Sequence, residues 1–178
     1  MLTVLPPEDA VLDAAGPSQA TGPAIYLFQS YDCAGCWNAT LSGGTQELID
    51  AAQAHGASLV WKNVAPERPH AAIAAHCVWQ QFPERWVEWN HAAFEQQLEA
   101  GAGWATMDRI LYMTETQFLL PRAETAQFEA CLTSGDFEDQ VHQDTRFWSS
   151  KTLLPALYAD GEWHDATPEA IERIQASR

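Results

Sequence analysis

Two cysteines, Cys33 and Cys36, are the residues of this sequence best suited to chemistry. They stand in the segment YDCAGCW and are separated by only Ala34 and Gly35. This spacing suits thiol–disulfide exchange, a pair of metal ligands or a short structural disulfide. The three alternatives need different surroundings, so the neighbouring elements bear on the choice.

The predicted elements on either side of the cysteines favour exchange. The preceding run, PAIYLFQSY, is apolar and aromatic, which predicts a buried strand. The following segment predicts a helix that opens near Cys36, with a break at Gly43 and Gly44. A sulfur at a helix N-terminus lies beside unpaired N–H groups, which favour the nucleophilic thiolate. We therefore predict that Cys33 is the nucleophile and that Cys36 resolves the mixed disulfide.

The two other interpretations of the cysteine pair have weaker support. A structural zinc site would need further soft ligands, which His76, Cys77 or Cys131 could supply. Such sites usually contain two close pairs of ligands, and the sequence has no second C-x-x-C. A purely structural disulfide across so short a loop gains little chain entropy. Both interpretations stay open, but the order strand, C-x-x-C, helix favours redox chemistry.

The remaining elements predict an α/β protein with one sheet. A second strand is predicted at residues 57–64 and a β-hairpin at residues 155–164. Thr167 followed by Pro168 is typical of a helix start, which predicts a final helix. The first twenty residues predict a short strand or an irregular arm.

Between these parts, residues 69–150 predict a block of four or five helices. In one helix, Trp86, Trp89, Ala93 and Leu98 are predicted to form one apolar stripe. We interpret the tryptophans as core or groove residues and place the acidic residues on solvated helix faces. The following histidines are interpreted as surface residues or as core residues with satisfied hydrogen bonds: His70, His76, His91, His142 and His164.

Composition excludes several kinds of partner. The chain has 178 residues, 47% of them hydrophobic, which is enough for one well-buried core. Its net charge of −15 argues against nucleic acids and anionic membranes, since both bind Lys/Arg surfaces. No apolar run approaches the ~20 residues of a membrane span, and the start does not resemble a signal peptide. We expect a cytosolic protein or the mature form of an exported one.

Taken together, these motifs resemble the DsbA-like form of the thioredoxin fold. YLFQSYDCAGC, a following helix, a long helical insertion and TLLPALYADG occur in that family's order. AAIAAHCVWQQFPERWVEWNHAAF looks like the alanine-rich and aromatic helices of the insertion, and AQFEACLTSG is similar to the family's F-x-x-C-L helix. The similarity covers most of the chain, from about Ala24 to Gly161.

The resemblance implies an α/β thioredoxin fold with a helical insertion domain, and an enzyme that is a protein disulfide oxidoreductase. It implies no cofactor beyond the disulfide itself, cysteine-containing protein substrates, a redox partner protein and a periplasmic or otherwise extracytoplasmic location. The competing hypothesis is a non-catalytic metal-binding or chaperone protein of this fold, with Cys33 and Cys36 as soft ligands. The implied organisation is one domain, 1–178, with a thioredoxin core at about 1–66 and 151–178 and an insertion at about 67–150.

The resemblance also assigns residues outside the C-x-x-C. Pro155 matches the family's cis-proline, and Leu154 matches the position whose backbone pairs with an extended substrate. Cys77 and Cys131 match the cysteines that form a second disulfide in many DsbA-like sequences. The alternative for this pair is two buried free thiols.

Four residues depart from the patterns of related proteins, and three of them, Asp32, Ala34 and Gly35, bear on the comparison with the strongly oxidising members of the family. Those members resemble C-P-H-C, whereas Ala34 and Gly35 offer no donor to a thiolate. Asp32 opposes the thiolate of its neighbour by on the order of 1 kcal/mol, and the helix N-terminus acts in the other direction with similar size. Leu27 lies where thioredoxins have a buried acid. We expect a couple more reducing than a strong oxidant, with the direction of electron flow open.

Overall fold

The structure is a computed structural model that describes residues 23–101, 103–118, 120–149 and 151–178. The arm predicted for the first twenty residues lies outside these residues. No helix in the described part of the chain is long and apolar enough to cross a bilayer. The elements, in chain order, are β1 (Ala24–Gln29), α1 (Ala34–Leu41), α2 (Gly44–Ala54), β2 (Ser58–Asn63), α3 (His70–Gln81), a 3-10 turn (Pro83–Arg85), α4 (Trp86–Ala100), α5 (Met107–Thr116), α6 (Arg122–Ser134), α7 (Glu138–Trp148), β3 (Ala156–Ala159), β4 (Glu162–Asp165) and α8 (Pro168–Ala176).

The described strands form one sheet in the order β2–β1–β3–β4. β1 runs parallel to β2 and antiparallel to β3, and β3 forms a hairpin with β4. Asp160 and Gly161 both have positive φ in the hairpin turn, a conformation that glycine and short polar residues adopt most readily. A βαβ half and a ββα half therefore flank the helical block, as the sequence predicted.

Alternation along the strands divides the core between the two faces of the sheet. Leu27 and Leu157 face the larger core, where α2 also contacts α8. Phe28 and Tyr158 face the other side, where both rings contact Phe147 of α7. β1 is thus covered on both faces, which holds the chain rigidly up to the residues before the cysteines.

The helical block packs through its aromatic residues and a disulfide. Trp86 and Trp89 are fully buried, and Cys77 of α3 is joined to Cys131 of α6. The prediction that Leu98 belongs to the same stripe as Trp86 is wrong, because its side chain is 54% exposed. Twelve residues at about 100° each place Leu98 roughly 120° around the helix from Trp86.

A buried ion pair joins β2 to α7. Lys62 Nζ lies 3.4 Å from Asp144 Oδ1, and both side chains are fully buried. The prediction that acidic residues lie on solvated faces is therefore wrong for Asp144. Burial raises the pKa of Asp144 to about 6, against the opposing effect of Lys62. His76 stacks on Phe137 nearby, and its Nε2 has no hydrogen-bond partner among the described residues.

His76 should make the protein lose stability in acid. Burial, and secondly the charge of Lys62, lower its pKa from 6.5 to about 4, so the unfolded chain binds the extra proton between these pH values. The contribution of His76 to the free energy of unfolding is present above pH 6.5 and is lost as the pH falls toward 4. Between pH 7 and pH 4, the wild type should lose about 3 kcal/mol more than His76→Phe, measured by urea unfolding.

The raised pKa of Asp144 acts in the opposite direction, but it is present in both proteins and cancels in the comparison. Equal losses in the wild type and in His76→Phe would contradict the prediction.

Candidate active site

The end of β1 and the start of α1 position the two cysteines. A turn follows β1, in which the N–H of Cys33 donates to the carbonyl oxygen of Ser30 at 3.2 Å. Cys33 caps α1, because its Sγ accepts the N–H of Cys36 at 3.0 Å. The two cysteines form a disulfide in which Cys33 is partly buried and Cys36 is 1% exposed. Cys33 therefore presents the more accessible sulfur.

The loop before β3 lies directly against this helix start. The Leu154–Pro155 peptide bond is cis, and the Leu154 carbonyl oxygen lies 3.4 Å from Cys33 Sγ. A Cβ at Gly35 would stand 2.7 Å from that oxygen. Gly35 thus allows the loop to approach α1, a role that sequence reasoning missed. The sequence did contain a signal for this role. Glycine in the first turn of a helix costs helix stability, so its presence there suggests that another segment approaches closely.

Asp32 places a carboxyl group next to Cys33. Burial raises its pKa, Arg68 lowers it by charge attraction, and Glu67 raises it. The N–H of Asp32 donates to Ser30 Oγ at 3.2 Å, which fixes the turn before Cys33. The carboxyl group predicted beside Cys33 is therefore partly buried, and Arg68 favours its charged form against the effects of burial and Glu67.

An open groove of about 660 Å³ begins at Cys33. Sequence reasoning assigned Leu154 to this region but missed Leu153, which is 88% exposed. Trp148 Nε1 donates to the Thr152 carbonyl oxygen at 3.0 Å and so ties the end of α7 to the loop. The groove is lined by Ser30, Asp32, Cys33, Gly35, Pro66, Trp148, Thr152, Leu153 and Leu154.

The other predicted site residues lie elsewhere. Leu27 is buried in the sheet, and Ala34 is exposed on the first turn of α1. Cys77 and Cys131 bond to each other between α3 and α6, so in this state they are not available as ligands beside Cys33. Among the residues that the structure describes, no group of three His, Cys, Asp or Glu side chains could hold a metal ion.

This fold and its cysteine turn agree with the comparisons to known proteins. A family model described as Thioredoxin matches residues 15–175. The chain therefore belongs to the thioredoxin family, as its resemblance implied. No match is found among curated protein sequences.

Solved structures define the form of the fold more closely. DsbA of Chlamydia trachomatis is 20% identical with a TM-score of 0.65, over 86% of this chain and 85% of that one. Oxidised BdbD of Bacillus subtilis is 18% identical with a TM-score of 0.66, over 86% and 87% of the two chains. MdbA of Actinomyces oris, a thiol-disulfide oxidoreductase, is 18% identical with a TM-score of 0.60, over 90% of this chain and 82% of that one. These similarities confirm a thioredoxin fold with a DsbA-like helical insertion.

Asp32→Asn should make the reduced Cys33 thiol more acidic, because it removes a negative charge from the adjacent residue. The expected decrease in the thiol pKa is on the order of half to one unit. It can be measured from the ultraviolet absorbance of the thiolate as a function of pH. Glu47→Gln, which removes an exposed carboxylate from α2, is the control and should leave the titration unchanged. Identical titrations of Asp32→Asn and the wild type would contradict the assigned effect of Asp32.

Proposed function

We propose that this protein is a thiol–disulfide oxidoreductase that exchanges disulfides with cysteine-containing segments of other proteins. The observation that carries the proposal is the disulfide at the N-terminus of α1, with partly accessible Cys33, buried Cys36 and an open groove beside Cys33. The shared fold of MdbA, described as a thiol-disulfide oxidoreductase, supports it.

The exchange proceeds in two steps that transfer two electrons. A substrate thiolate attacks Cys33 Sγ, the Cys33–Cys36 bond breaks, and Cys36 leaves as a thiolate. A second substrate thiolate then attacks the substrate sulfur bound to Cys33, which forms the substrate disulfide and releases Cys33 as a thiolate. A redox partner protein removes the two electrons and restores the Cys33–Cys36 disulfide. The reverse sequence reduces a substrate disulfide, and the difference in potential sets the direction.

Leu154 and Pro155 are proposed to hold the substrate. An extended segment can pair with the backbone at Leu154 in the manner of an added strand. Because the Leu154 carbonyl oxygen lies 3.4 Å from Cys33 Sγ, such a segment would bring its own cysteine next to the nucleophile. Apolar side chains beside that cysteine would then contact Trp148 and Leu153 in the groove.

The proposal also includes the organisation and location of the protein. A thioredoxin core at about 1–66 and 151–178 would carry the cysteines, and an insertion at about 67–150 would cover them. α7 lies within that insertion but packs on β2, so the two parts share a continuous interface. The Cys77–Cys131 disulfide supports an extracytoplasmic, for example periplasmic, location, because disulfides persist in oxidising compartments.

Cys33→Ser should lower the rates of both insulin reduction and substrate-thiol oxidation to background. It removes the sulfur that attacks a substrate disulfide in one direction and that a substrate thiolate attacks in the other. Cys36→Ser should instead accumulate a covalent mixed disulfide between Cys33 and substrate, visible on a non-reducing gel. The Cys77→Ala, Cys131→Ala double variant is the control and should retain activity.

Full activity of Cys33→Ser would refute the proposed function. Stoichiometric zinc or copper in the purified protein, lost on the same substitution, would support metal binding in its place.

Leu153→Ser should weaken substrate binding without destabilising the fold, because this side chain is 88% exposed. We expect KM for a cysteine peptide with a neighbouring apolar residue to rise about fivefold, with kcat little changed. Leu98→Ser is the matched control, since Leu98 is also exposed but lies on α4 away from the groove lining. An equal KM for the two variants would contradict the role of the groove.

A further inference from the structure

A buried network of polar side chains connects α4 to the residues just before the cysteines. Asn90 Oδ1 accepts hydrogen bonds from Gln29 Nε2 at 3.0 Å and from the Tyr31 hydroxyl at 2.7 Å. Gln29 Nε2 also donates to Asn63 Oδ1 at 2.9 Å. All four side chains belong to residues that are at most 3% exposed. Buried amides and hydroxyls are costly unless paired, so these hydrogen bonds hold the side chains in a defined geometry. Asn63 Nδ2 has no hydrogen-bond partner among the described residues.

Asn90 binds the residues on both sides of Ser30. Ser30 in turn donates its backbone N–H to Cys36 Sγ at 3.5 Å. Trp104 Nε1 adds a third restraint by donating to the Tyr31 carbonyl oxygen at 3.1 Å. Burial raises the pKa of Tyr31, against a smaller opposing effect of Gln29, so its hydroxyl stays protonated and remains a donor. The peptide group that carries the Ser30 N–H is held on its other side as well, because the Gln29 carbonyl oxygen accepts the Val64 N–H at 2.8 Å. The hydrogen bonds to the Gln29 and Tyr31 side chains restrain the residues on both sides of that group.

We infer that Asn90 is a positioning residue of the redox centre, which aims the Ser30 N–H at the sulfur of Cys36. This inference rests on the proposed function. When substrate thiolate attacks Cys33, the Cys33–Cys36 bond breaks and the negative charge passes to Cys36 Sγ. In the reverse step, the Cys36 thiolate attacks Cys33, a new Cys33–Cys36 bond forms, and substrate leaves as a thiolate.

The charge on Cys36 gives the network its effect on the redox equilibrium. An N–H donated to a thiolate is a charge-assisted hydrogen bond and is stronger than the same bond to a neutral sulfur. It stabilises the reduced protein and makes the Cys33–Cys36 couple more oxidising. Loss of the Asn90 acceptor frees the Gln29 and Tyr31 side chains on both sides of Ser30. The Ser30 hydrogen bond to Cys36 should then weaken, which destabilises the reduced form and makes the couple more reducing.

The test compares the equilibrium of each variant with reduced and oxidised glutathione. Asn90→Leu should need an about tenfold higher [GSH]²/[GSSG] ratio for half-reduction, which is about 30 mV more reducing. Tyr31→Phe removes one oxygen and should shift the ratio about threefold in the same direction. Thr114→Val is the matched control, because it removes a buried 3.2 Å hydrogen bond from Trp89 of α4, whose ring packs edge-on against Tyr31, but removes no hydrogen bond of the network. Its ratio should equal that of the wild type.

Each possible result of this experiment supports or contradicts the positioning role of Asn90. Unchanged ratios in folded Asn90→Leu and Tyr31→Phe would overturn the positioning role, as would an equal shift in Thr114→Val, which would indicate general loosening. If Asn90→Leu does not fold, the ratio of Tyr31→Phe decides alone. A wild type that reaches no equilibrium with glutathione would overturn the proposed function together with this inference. A measurable wild-type equilibrium with unchanged variants would overturn the positioning role alone.

Discussion

The close approach of the Leu154 carbonyl oxygen to the N-terminus of α1 is the contact on which the site depends. It joins Cys33 to a residue 121 positions later in the chain. Gly35 leaves room for it, and β1 and β3, paired side by side, bring the two segments together. The cysteine turn, the groove and the proposed substrate position all follow from this contact, because each is defined relative to the Leu154 loop.

The groups that favour the thiolate or the neutral thiol form of Cys33 lie close to the same contact. The Cys36 N–H donates to Cys33 Sγ and favours a thiolate, whereas the Leu154 carbonyl and Asp32 favour a neutral thiol. The helical block contributes at Cys36, where Asn90 holds the Ser30 amide through its neighbours. Buried hydrogen bonds thus connect α4 of the helical block to the residues around Cys36.

Local signals in the sequence were sufficient to predict α1, which carries Cys36, and two further helices. The apolar run before Cys33, the glycine pair at the helix break and the Thr167–Pro168 start each act within a few residues, so α1, α2 and α8 were predictable. The single sheet and its hairpin followed from the order of the predicted elements and the Asp160–Gly161 turn, and the family followed from the resemblance. Leu153 and the buried Asp144 were missed, because their environments depend on the Leu154 loop, α7 and β2 meeting in space.

Two buried polar residues whose contacts were missed, Lys62 and Asn90, stand out in the sequence because they interrupt apolar patterns. Lys62 lies within a largely apolar strand, near its end, which indicates a buried charge that needs a partner. The partner, Asp144, is 82 residues away on α7. Asn90 likewise interrupts a tryptophan-rich helical face. A polar residue inside an apolar pattern predicts a buried contact, whereas its partner can be identified only from the tertiary structure.

The reduction potential of the Cys33–Cys36 couple tests the central claim most directly. An exchanging centre with the weak thiolate support described above should have a potential between about −270 mV, the value of thioredoxin, and about −120 mV, the value of DsbA. A potential below about −300 mV, typical of structural disulfides, would contradict the account.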